Sequence, residues 1–296
     1  MVSQSEILKK VRRIEIKTRG LSSEIFAGKY HSAFKGRGMS FSEVREYRVG
    51  DDVRDIDWNV SARSRSPHIK VYEEERELTL MLLVDVSASR LFGSRTMHKQ
   101  ELAAEMAAVL AFSAEKNGDK VGCLLFSDRV ELFIPPKKGR NHILHIIRQL
   151  LEFEPVGRGT DIGGALRFAT GALKKRTTMF VVSDMMDVDI ETGKARFEEP
   201  LKILSSRHDV VALRLYDRRD ESMPDVGAIE MMDAESGERV WVDTSSKEVR
   251  RAYDNHYKRQ NFVVESTLMR YKVDTVAVAT DDDYVKALIA LFKKRG

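Results

Sequence analysis

Apolar runs of strand length alternate with stretches of helical periodicity along most of the chain. Residues 80–84 and 179–182 are almost uninterrupted apolar runs, the pattern of strands that are buried on both faces of a parallel sheet. Between them, residues 96–116 place apolar side chains at helical spacing and end at Asn117-Gly118, a common helix stop. This alternation predicts an α/β fold, a doubly wound and mostly parallel sheet with helices on both faces.

The same patterns give the expected order of elements. Strands are expected at residues 69–72, 78–84, 121–126, 130–134, 178–182, 209–215 and 275–279. Helices are expected at residues 5–17, 96–116, 141–152, 162–174, 195–206 and 282–293. The short connection at residues 127–129 predicts that the two strands around it form an antiparallel hairpin.

Two regions interrupt this alternation. Residues 226–243 predict a β-hairpin insertion, and a long helix is expected to follow from Ser245, whose spacing to Glu248 matches a capping box. Residues 20–66 are rich in turn-forming residues and are expected to be irregular, with Trp58 as a core anchor.

We therefore predict two regions. Residues 1–77 form an N-terminal, irregular α+β extension, and residues 78–296 form the α/β domain that includes the hairpin insertion.

Composition is that of a globular protein in a reducing compartment. Hydrophobic residues make up 42% of the 296 positions, which is ordinary for a folded domain. No apolar run approaches the roughly 20 residues that span a bilayer, and residues 1–19 are charged throughout, unlike a secretory signal. The single cysteine, Cys123, lies in an apolar run and is expected to be buried and unreactive. We expect a cytoplasmic protein without a membrane span.

Basic charge is concentrated near the N-terminus. Residues 1–70 carry 15 lysines and arginines against 9 acidic residues, whereas the rest of the chain is close to balance. Such a surplus is compatible with nucleic-acid binding. However, no aromatic side chain suited to base stacking stands among the cations of the helix expected at residues 5–17. We favour a solvated helix face over a nucleic-acid contact.

Polar side chains with oxygen donors follow the expected central strands. The three segments that carry them are Asp85-Val86-Ser87-Ala88-Ser89, Thr160-Asp161 and Ser183-Asp184. In an open α/β sheet the carboxyl ends of neighbouring parallel strands meet at one edge, where ligands bind. Carboxylates and hydroxyls are hard donors that suit Mg²⁺ or Mn²⁺ rather than zinc. The sequence therefore predicts a divalent-metal site at this edge of the sheet.

The proposed donor set leaves the ion under-neutralised. Three neutral hydroxyls and two carboxylates, completed by water, suit an octahedral shell. With so few carboxylates, the ion is expected to accept one more anionic oxygen from outside, such as an Asp or Glu of a partner protein. The candidate ligands are Asp85, Ser87, Ser89, Thr160 and Asp184.

This set resembles the metal-ion-dependent adhesion site of von Willebrand factor A domains, and residues 118–122 and 159–166 are also similar to that fold. The resemblance implies direct ligation by Ser87, Ser89 and Thr160. It implies that the two carboxylates act through water or at longer range. The residues expected to form the rim that meets a partner are Arg90, Arg158, Asp161 and Met185.

Three segments that precede the expected sheet are similar, in their order and spacing, to family 58 of the domains of unknown function, a bacterial family. They are residues 41–47, 50–58 and 61–63. That family places this signature before a von Willebrand A-like domain and is often encoded beside MoxR-type AAA+ ATPases. The resemblance implies an interaction protein that works with such an ATPase in complex assembly or maturation.

The charged residues of this signature also have a purely structural interpretation, in which arginines pair with acidic residues close to them in sequence. The arginines are Arg45, Arg54 and Arg63, and the expected acidic partners are Glu43, Asp55 and Asp57.

Three classes of function remain open. We favour a non-catalytic, metal-dependent protein-binding module without a small-molecule substrate. A Mg²⁺-dependent hydrolase or phosphotransferase would have to recruit Asp161 and Asp184, and the chain shows neither a P-loop nor a Gly-x-Ser-x-Gly elbow. Nucleic-acid binding through residues 1–70 is the third class.

Overall fold

A computed structural model of the chain describes residues 9, 11–17, 30, 33, 39–64, 66–74, 78–91, 97–189, 191–232 and 237–295. The chain divides into two compact units, residues 1–34 with 79–296, and residues 35–78. Residues 1–34 thus group with the large unit, whereas the division expected from the sequence placed them with the N-terminal region.

The small unit contains a two-stranded antiparallel sheet. Strand β1 (Met39–Glu46) pairs with β2 (His68–Glu74), and the register shifts between Phe41 and Glu43. A 3₁₀ turn (Val53–Asp55) and helix α1 (Trp58–Ser64) lie between the strands. The prediction of an irregular segment at residues 20–66 was therefore wrong for β1 and α1. The bulge breaks the period-two alternation that identifies a strand, which is why β1 escaped detection.

Two further expectations for the small unit were wrong. Trp58 is 72% exposed and is not a core anchor. The arginine partners also differ: Arg45 donates two hydrogen bonds, of 2.9 and 2.8 Å, to the carboxylate of Asp51. Arg54 pairs with Asp52 at 2.8 Å. Asp51 and Asp52 lie in the turn beside the 3₁₀ helix. The fold of this turn therefore decides which acidic residue each arginine contacts.

The large unit is built on a six-stranded sheet. Its strands are β3 (Thr79–Asp85), β4 (Lys120–Phe126), β5 (Val130–Lys137), β6 (Thr178–Ser183), β9 (Asp209–Tyr216) and β12 (Asp274–Ala279). They lie in the order β12-β9-β6-β3-β4-β5. All neighbours are parallel except the edge pair of β4 and β5, which is antiparallel. The predicted doubly wound, mostly parallel sheet is confirmed, including the β4–β5 hairpin.

Two small antiparallel pairs accompany this sheet. They are β7 (Val188–Asp189) with β8 (Lys194–Ala195), and β10 (Ala228–Met232) with β11 (Arg239–Asp243). The second pair is the hairpin insertion predicted at residues 226–243.

Helices cover both faces of the sheet. They are α2 (Lys99–Lys116), α3 (Arg140–Glu152), α4 (Ile162–Ala172), α5 (Glu198–Arg207), the single turn α6 (Arg218–Glu221), α7 (Lys247–Arg270) and α8 (Tyr284–Arg295). On one face, α4, α5 and α7 pack on a core that includes Met81 and Leu83 of β3. Leu80 and Leu82 alternate to the other face and are fully buried, and α2 contacts β3, β4 and α3.

Details at the ends of the helices follow local chemistry. Helix α7 begins one residue later than expected, because the Ser246 hydroxyl caps the Val249 N–H at 3.4 Å. The predicted cap, Ser245, instead donates its hydroxyl to Asp243. At the N-terminus, residues 11–17 are helical, with Val11 and Ile14 buried and Arg12 and Arg13 exposed, as predicted from their spacing.

In the described ranges, no helix is both long enough and apolar enough to cross a membrane. Cys123 of β4 is fully buried, as predicted, and burial raises the pKa of its thiol.

Candidate metal site

The candidate site lies at the carboxyl ends of two adjacent parallel strands. Asp85 is the last residue of β3, and Ser183 is the last residue of β6. The chain leaves β3 towards β4 on one side and returns to β6 on the other, with helices on opposite faces. This is the switch point of a doubly wound sheet, where loops diverge and leave a crevice.

Hydrogen bonds fix the first motif around Asp85. One carboxylate oxygen accepts the Ser87 backbone N–H at 2.9 Å, and the other accepts the Ser183 hydroxyl at 2.7 Å. The Ser87 and Ser89 hydroxyls form a hydrogen bond with each other, with 3.1 Å between the oxygens. Asp85 therefore orients the turn that presents both serine hydroxyls, while its own oxygens are already engaged within the protein.

The spacing of the two serine hydroxyls fits a small octahedral cation. Adjacent oxygens on Mg²⁺, at 2.0–2.1 Å from the ion, are separated by about 3.0 Å. The observed 3.1 Å between the Ser87 and Ser89 oxygens matches that value. Among the described residues, no cluster of three or more His, Cys, Asp or Glu is placed to hold a metal. A metal here would rely on hydroxyls as well as carboxylates, as the sequence predicted.

Thr160 lies beside the serine motif, in a loop that backbone hydrogen bonds hold on both sides of it. The Ala88 N–H donates to the Arg158 carbonyl at 3.0 Å, and the Asp161 N–H donates to the Ser127 carbonyl at 2.8 Å. The Gly157 N–H donates to Glu131 at 2.8 Å. These bonds hold the loop between α3 and α4 against the first motif and against the β4–β5 turn.

A side chain at Gly157 would displace side chains of the β4–β5 turn. A Cβ built on it would overlap with the Ser127 hydroxyl and the Asp128 carboxylate. The glycine thus lets the loop that carries Thr160 approach the β4–β5 turn closely.

Asp184 follows β6 and faces the site from the opposite side. Its carboxylate accepts the Met186 N–H at 3.2 Å, and the chain turns through a positive φ of 63° at Met185. This turn directs Met185 into the core, where it is fully buried. Met185 was predicted at the rim; the structure corrects this and leaves Met186 beside the site.

Two acidic groups of the site, Asp85 and Asp184, repel each other electrostatically. The pKa of Asp85 is raised to about 6, chiefly by burial and then by the charge of Asp184. Hydrogen bonds from Ser183 and Ser87 oppose this shift. A divalent cation would relieve the repulsion between the two carboxylates, so the electrostatics agree with the donor chemistry.

Lys99, which sequence reasoning missed, is a cation in direct contact with Asp184. It is the first residue of α2, is 6% exposed, and lies 3.3 Å from Asp184 and 2.8 Å from Asp220. Burial lowers the pKa of its ammonium group, but the two carboxylates more than offset this and the pKa is raised. The sequence did not indicate a role for Lys99, because the apolar spacing of α2 predicts only which residues pack against the core.

A cavity of about 290 Å³ collects these groups. Three candidate ligands line it, Ser89, Thr160 and Asp184, and Lys99 lines it beside them. The remaining lining residues are Met186, Tyr216, Asp220, Tyr253, His256, Tyr257 and Gln260. The structure therefore brings residues from three distant motifs to one cavity. One wall of this cavity is formed by α7 and was not predicted from the sequence; its residues are Tyr253, His256, Tyr257 and Gln260.

The other predicted rim residues have local roles. Arg90 donates to the Phe153 carbonyl at 2.9 Å, which ties the first motif to the end of α3. Asp161 caps α4 by accepting the Gly164 N–H at 2.7 Å. Arg158 is exposed, and the backbone of Gly237 in the hairpin insertion lies near its guanidinium.

Several known proteins are similar to this chain. The uncharacterized protein Rv1480 of Mycobacterium tuberculosis is 31% identical over 229 residues, which are 77% of this chain and 70% of that protein. The uncharacterized protein YeaD of Bacillus subtilis is 31% identical over 109 residues, 37% of this chain and 25% of that protein.

Solved structures are more distant. The conserved hypothetical protein BatB from Bacteroides thetaiotaomicron has 18% identity and a TM-score of 0.46, covering 74% of this chain and 98% of that one. The SpRpn10 VWA domain has 14% identity and a TM-score of 0.40, covering 74% and 95%.

The family assignment comes from the sequence itself. Residues 43–263, which include most of the N-terminal signature and all five candidate ligands, match the family described as "Protein of unknown function DUF58". This match, together with the mycobacterial relative, shows that the chain belongs to the DUF58 family.

Proposed function

We propose that this chain is a divalent-metal-dependent protein-binding module that captures an acidic side chain of a partner protein and performs no catalysis of its own. The observation that carries the proposal is the convergence of Ser89, Thr160 and Asp184 on one cavity, with Ser87 3.1 Å from Ser89. Bound Mg²⁺ or Mn²⁺ would supply a coordination position for a carboxylate oxygen.

Each of the five candidate ligands has a role in this proposal. Ser87, Ser89 and Thr160 would hold the ion through neutral hydroxyls, so that its charge is only partly compensated. Asp85 positions the serine turn, and Asp184 contributes the second carboxylate. Because the ion stays under-neutralised, an anionic oxygen of the partner is attracted to it.

The partner is proposed on a separate basis. The resemblance of residues 41–63 to the family signature supports a MoxR-type AAA+ ATPase as the protein with which this module works. The buried single cysteine agrees with a reducing compartment, and we place the module in the cytoplasm.

Direct metal binding tests the first half of the proposal. We expect purified protein to bind Mn²⁺, measured by electron paramagnetic resonance, and Thr160→Ala to lose about tenfold or more in affinity. Thr170→Ala is the matched control, because its hydroxyl only donates to the Leu166 carbonyl within α4, at 2.8 Å. Equal affinity in Thr160→Ala and Thr170→Ala would remove the site.

Partner capture tests the second half. Immobilised chain and a purified MoxR-type ATPase from the same genome are expected to associate in Mg²⁺ and to separate in EDTA, as followed by surface plasmon resonance. Asp85→Ala should abolish the metal-dependent part. Association that is indifferent to EDTA would show that the metal plays no part in recognition.

A further inference from the structure

One half of helix α7 packs on the core, whereas the other half lines the candidate site. Val264 and Leu268 are fully buried against the sheet. About two and three turns before Val264, Tyr257 and Tyr253 are only partly buried and face the cavity that holds the metal-site residues. The C-terminal half of α7 therefore stabilises the core, whereas the half that carries Tyr253 and Tyr257 lines the cavity.

The cavity-facing residues form one face of the helix. Tyr253, His256, Tyr257 and Gln260 follow one another at intervals of three, one and three residues, which places them on one side of α7. Tyr216, at the end of β9, adds a third aromatic ring to the cavity lining.

This wall is held firmly in place. The Tyr253 hydroxyl donates to the Arg219 carbonyl at 3.3 Å, and Arg250 pairs with Asp225 at 3.0 Å. Further along, the buried Arg214 of β9 pairs with Glu265 of α7 at 3.2 Å. These attachments connect α7 to the single turn α6, to the loop at Asp225 and to strand β9.

The two sides of the cavity differ in chemistry. On one side stand the candidate metal ligands, where a bound divalent ion would accept a carboxylate, and Lys99, whose charge is already paired with Asp184 and Asp220. On the other side stand tyrosine rings and the thioether of Met186, which suit an apolar or aromatic group, together with the polar side chains of His256 and Gln260. Asp220 pairs with Lys99 at 2.8 Å, so its charge is compensated and does not favour a basic group.

The size of the cavity narrows the choice of occupant. Its volume of about 290 Å³ lies at the lower end of the range for ligand pockets. This volume suits an acidic side chain together with one neighbouring side chain of the same peptide, and it is small for a large cofactor.

We propose that α7 provides a specificity wall that recognises the residue next to the partner's acidic side chain, and that this residue is apolar or aromatic. The inference rests on the proposed function, since the acidic side chain is placed by the metal. Tyr253 and Tyr257 are the specificity-determining residues, with Tyr216 and Met186 completing the surface.

An array of short synthetic peptides tests this assignment. Each peptide carries one central Glu, and the residue on either side is varied over the twenty amino acids. Binding of labelled protein is measured in Mg²⁺ and in EDTA. We expect a signal that requires both Glu and Mg²⁺, and that is about tenfold stronger with Phe, Leu or Met beside the Glu than with Ser or Lys.

Variants on α7 locate the preference. Tyr257→Ala should lose the preference for the neighbouring residue while Mn²⁺ affinity and the requirement for Glu persist, and Tyr257→Phe should restore it. Tyr253→Ala provides a second, independent loss. Phe262→Ala is the matched control, because this aromatic residue of the same helix is 70% exposed and lies outside the cavity.

The outcomes separate the two proposals. A Glu-dependent signal with no preference for its neighbour, or a preference that survives in both Tyr257→Ala and Tyr253→Ala, would overturn the specificity wall alone. Absence of any signal that needs both Glu and Mg²⁺ would overturn the proposed function, and the wall with it.

Discussion

Lys99 occupies an unfavourable position for a lone cation. It is buried at the first residue of α2, where the helix dipole disfavours positive charge. Its carboxylate partners Asp184 and Asp220 compensate this charge. Because one partner is also a candidate metal ligand, the ammonium group and a divalent ion would compete for the same oxygens.

Replacing Lys99 by methionine should therefore strengthen metal binding. The change removes a positive charge and keeps most of the apolar stem, so we expect Mn²⁺ affinity to rise by about tenfold or more, the lower end of a neighbouring charge's usual effect. Calorimetric titration of the folded variant measures it, with a melting curve as the control for folding. Unchanged or weaker binding would contradict the proposed competition.

A second residue-scale prediction concerns the small unit. The hydrogen bonds from Arg45, followed by the N–H of Arg48, lower the pKa of Asp51 to about 2. A lowered pKa means that the stabilising contribution of Asp51 is present above its unfolded value, about 3.9, and is lost as the pH falls through about 2.

Carboxyl-carbon NMR titration of Asp51 measures this pKa directly. In Arg45→Met we expect the pKa of Asp51 to rise towards its ordinary value. A midpoint that is the same in both proteins would show that the ion pair is absent in solution.

At the scale of elements, the predictable strands are those whose burial is uniform. Strands β3 and β6 are buried on both faces, so their apolar runs were visible in the sequence. Strand β1 was not visible, since its bulge interrupts the alternation. Helix ends were predicted to within a few residues, and the Ser245 cap was misplaced by one because Ser246 offered the same hydroxyl.

Some residues of the candidate site were also predictable from the sequence, and others were not. Its motifs were found because each follows a strand or opens a helix, positions that the topology brings together. Lys99 and the tyrosines of α7 were not found, because their partners come from elements distant in sequence. Met185 was misplaced because its left-handed backbone reverses the direction of its side chain.

The loop that carries Thr160 yields an element-scale prediction. In Gly157→Ala the new methyl group would overlap with the β4–β5 turn, so we expect the loop to shift and Mn²⁺ affinity to fall. Gly171→Ala is the matched control: it lies in α4 with nothing within 4 Å of its Cβ, and should be neutral or stabilising by up to about 1 kcal/mol. Equal metal affinity in the two variants would show that this loop does not contribute a ligand.

On the scale of the whole molecule, the site exists only when the sheet is formed. Asp85 and Ser183 are 98 residues apart in sequence and are joined by a hydrogen bond of 2.7 Å. A metal held by such distant groups binds the folded chain in preference to the unfolded chain, and its binding energy adds to the stability of the fold.

Divalent metal should therefore protect the protein against heat. At a free Mg²⁺ or Mn²⁺ concentration about 100 times the dissociation constant, we expect about 2.7 kcal/mol of added stability and a Tm higher by several degrees than in EDTA. Differential scanning calorimetry measures the shift, and Asp85→Ala should show none. Identical melting curves with metal and with EDTA would contradict binding to the native fold.

The lone thiol of β4 makes this chain a convenient reporter of its own opening. Cys123 is fully buried and its thiol has a raised pKa. An alkylating reagent therefore reaches it when the structure around β4 opens. The rate of its modification would time that event without any engineered label. A cysteine introduced on an outer surface could, conversely, receive a fluorophore selectively while the native thiol stays untouched.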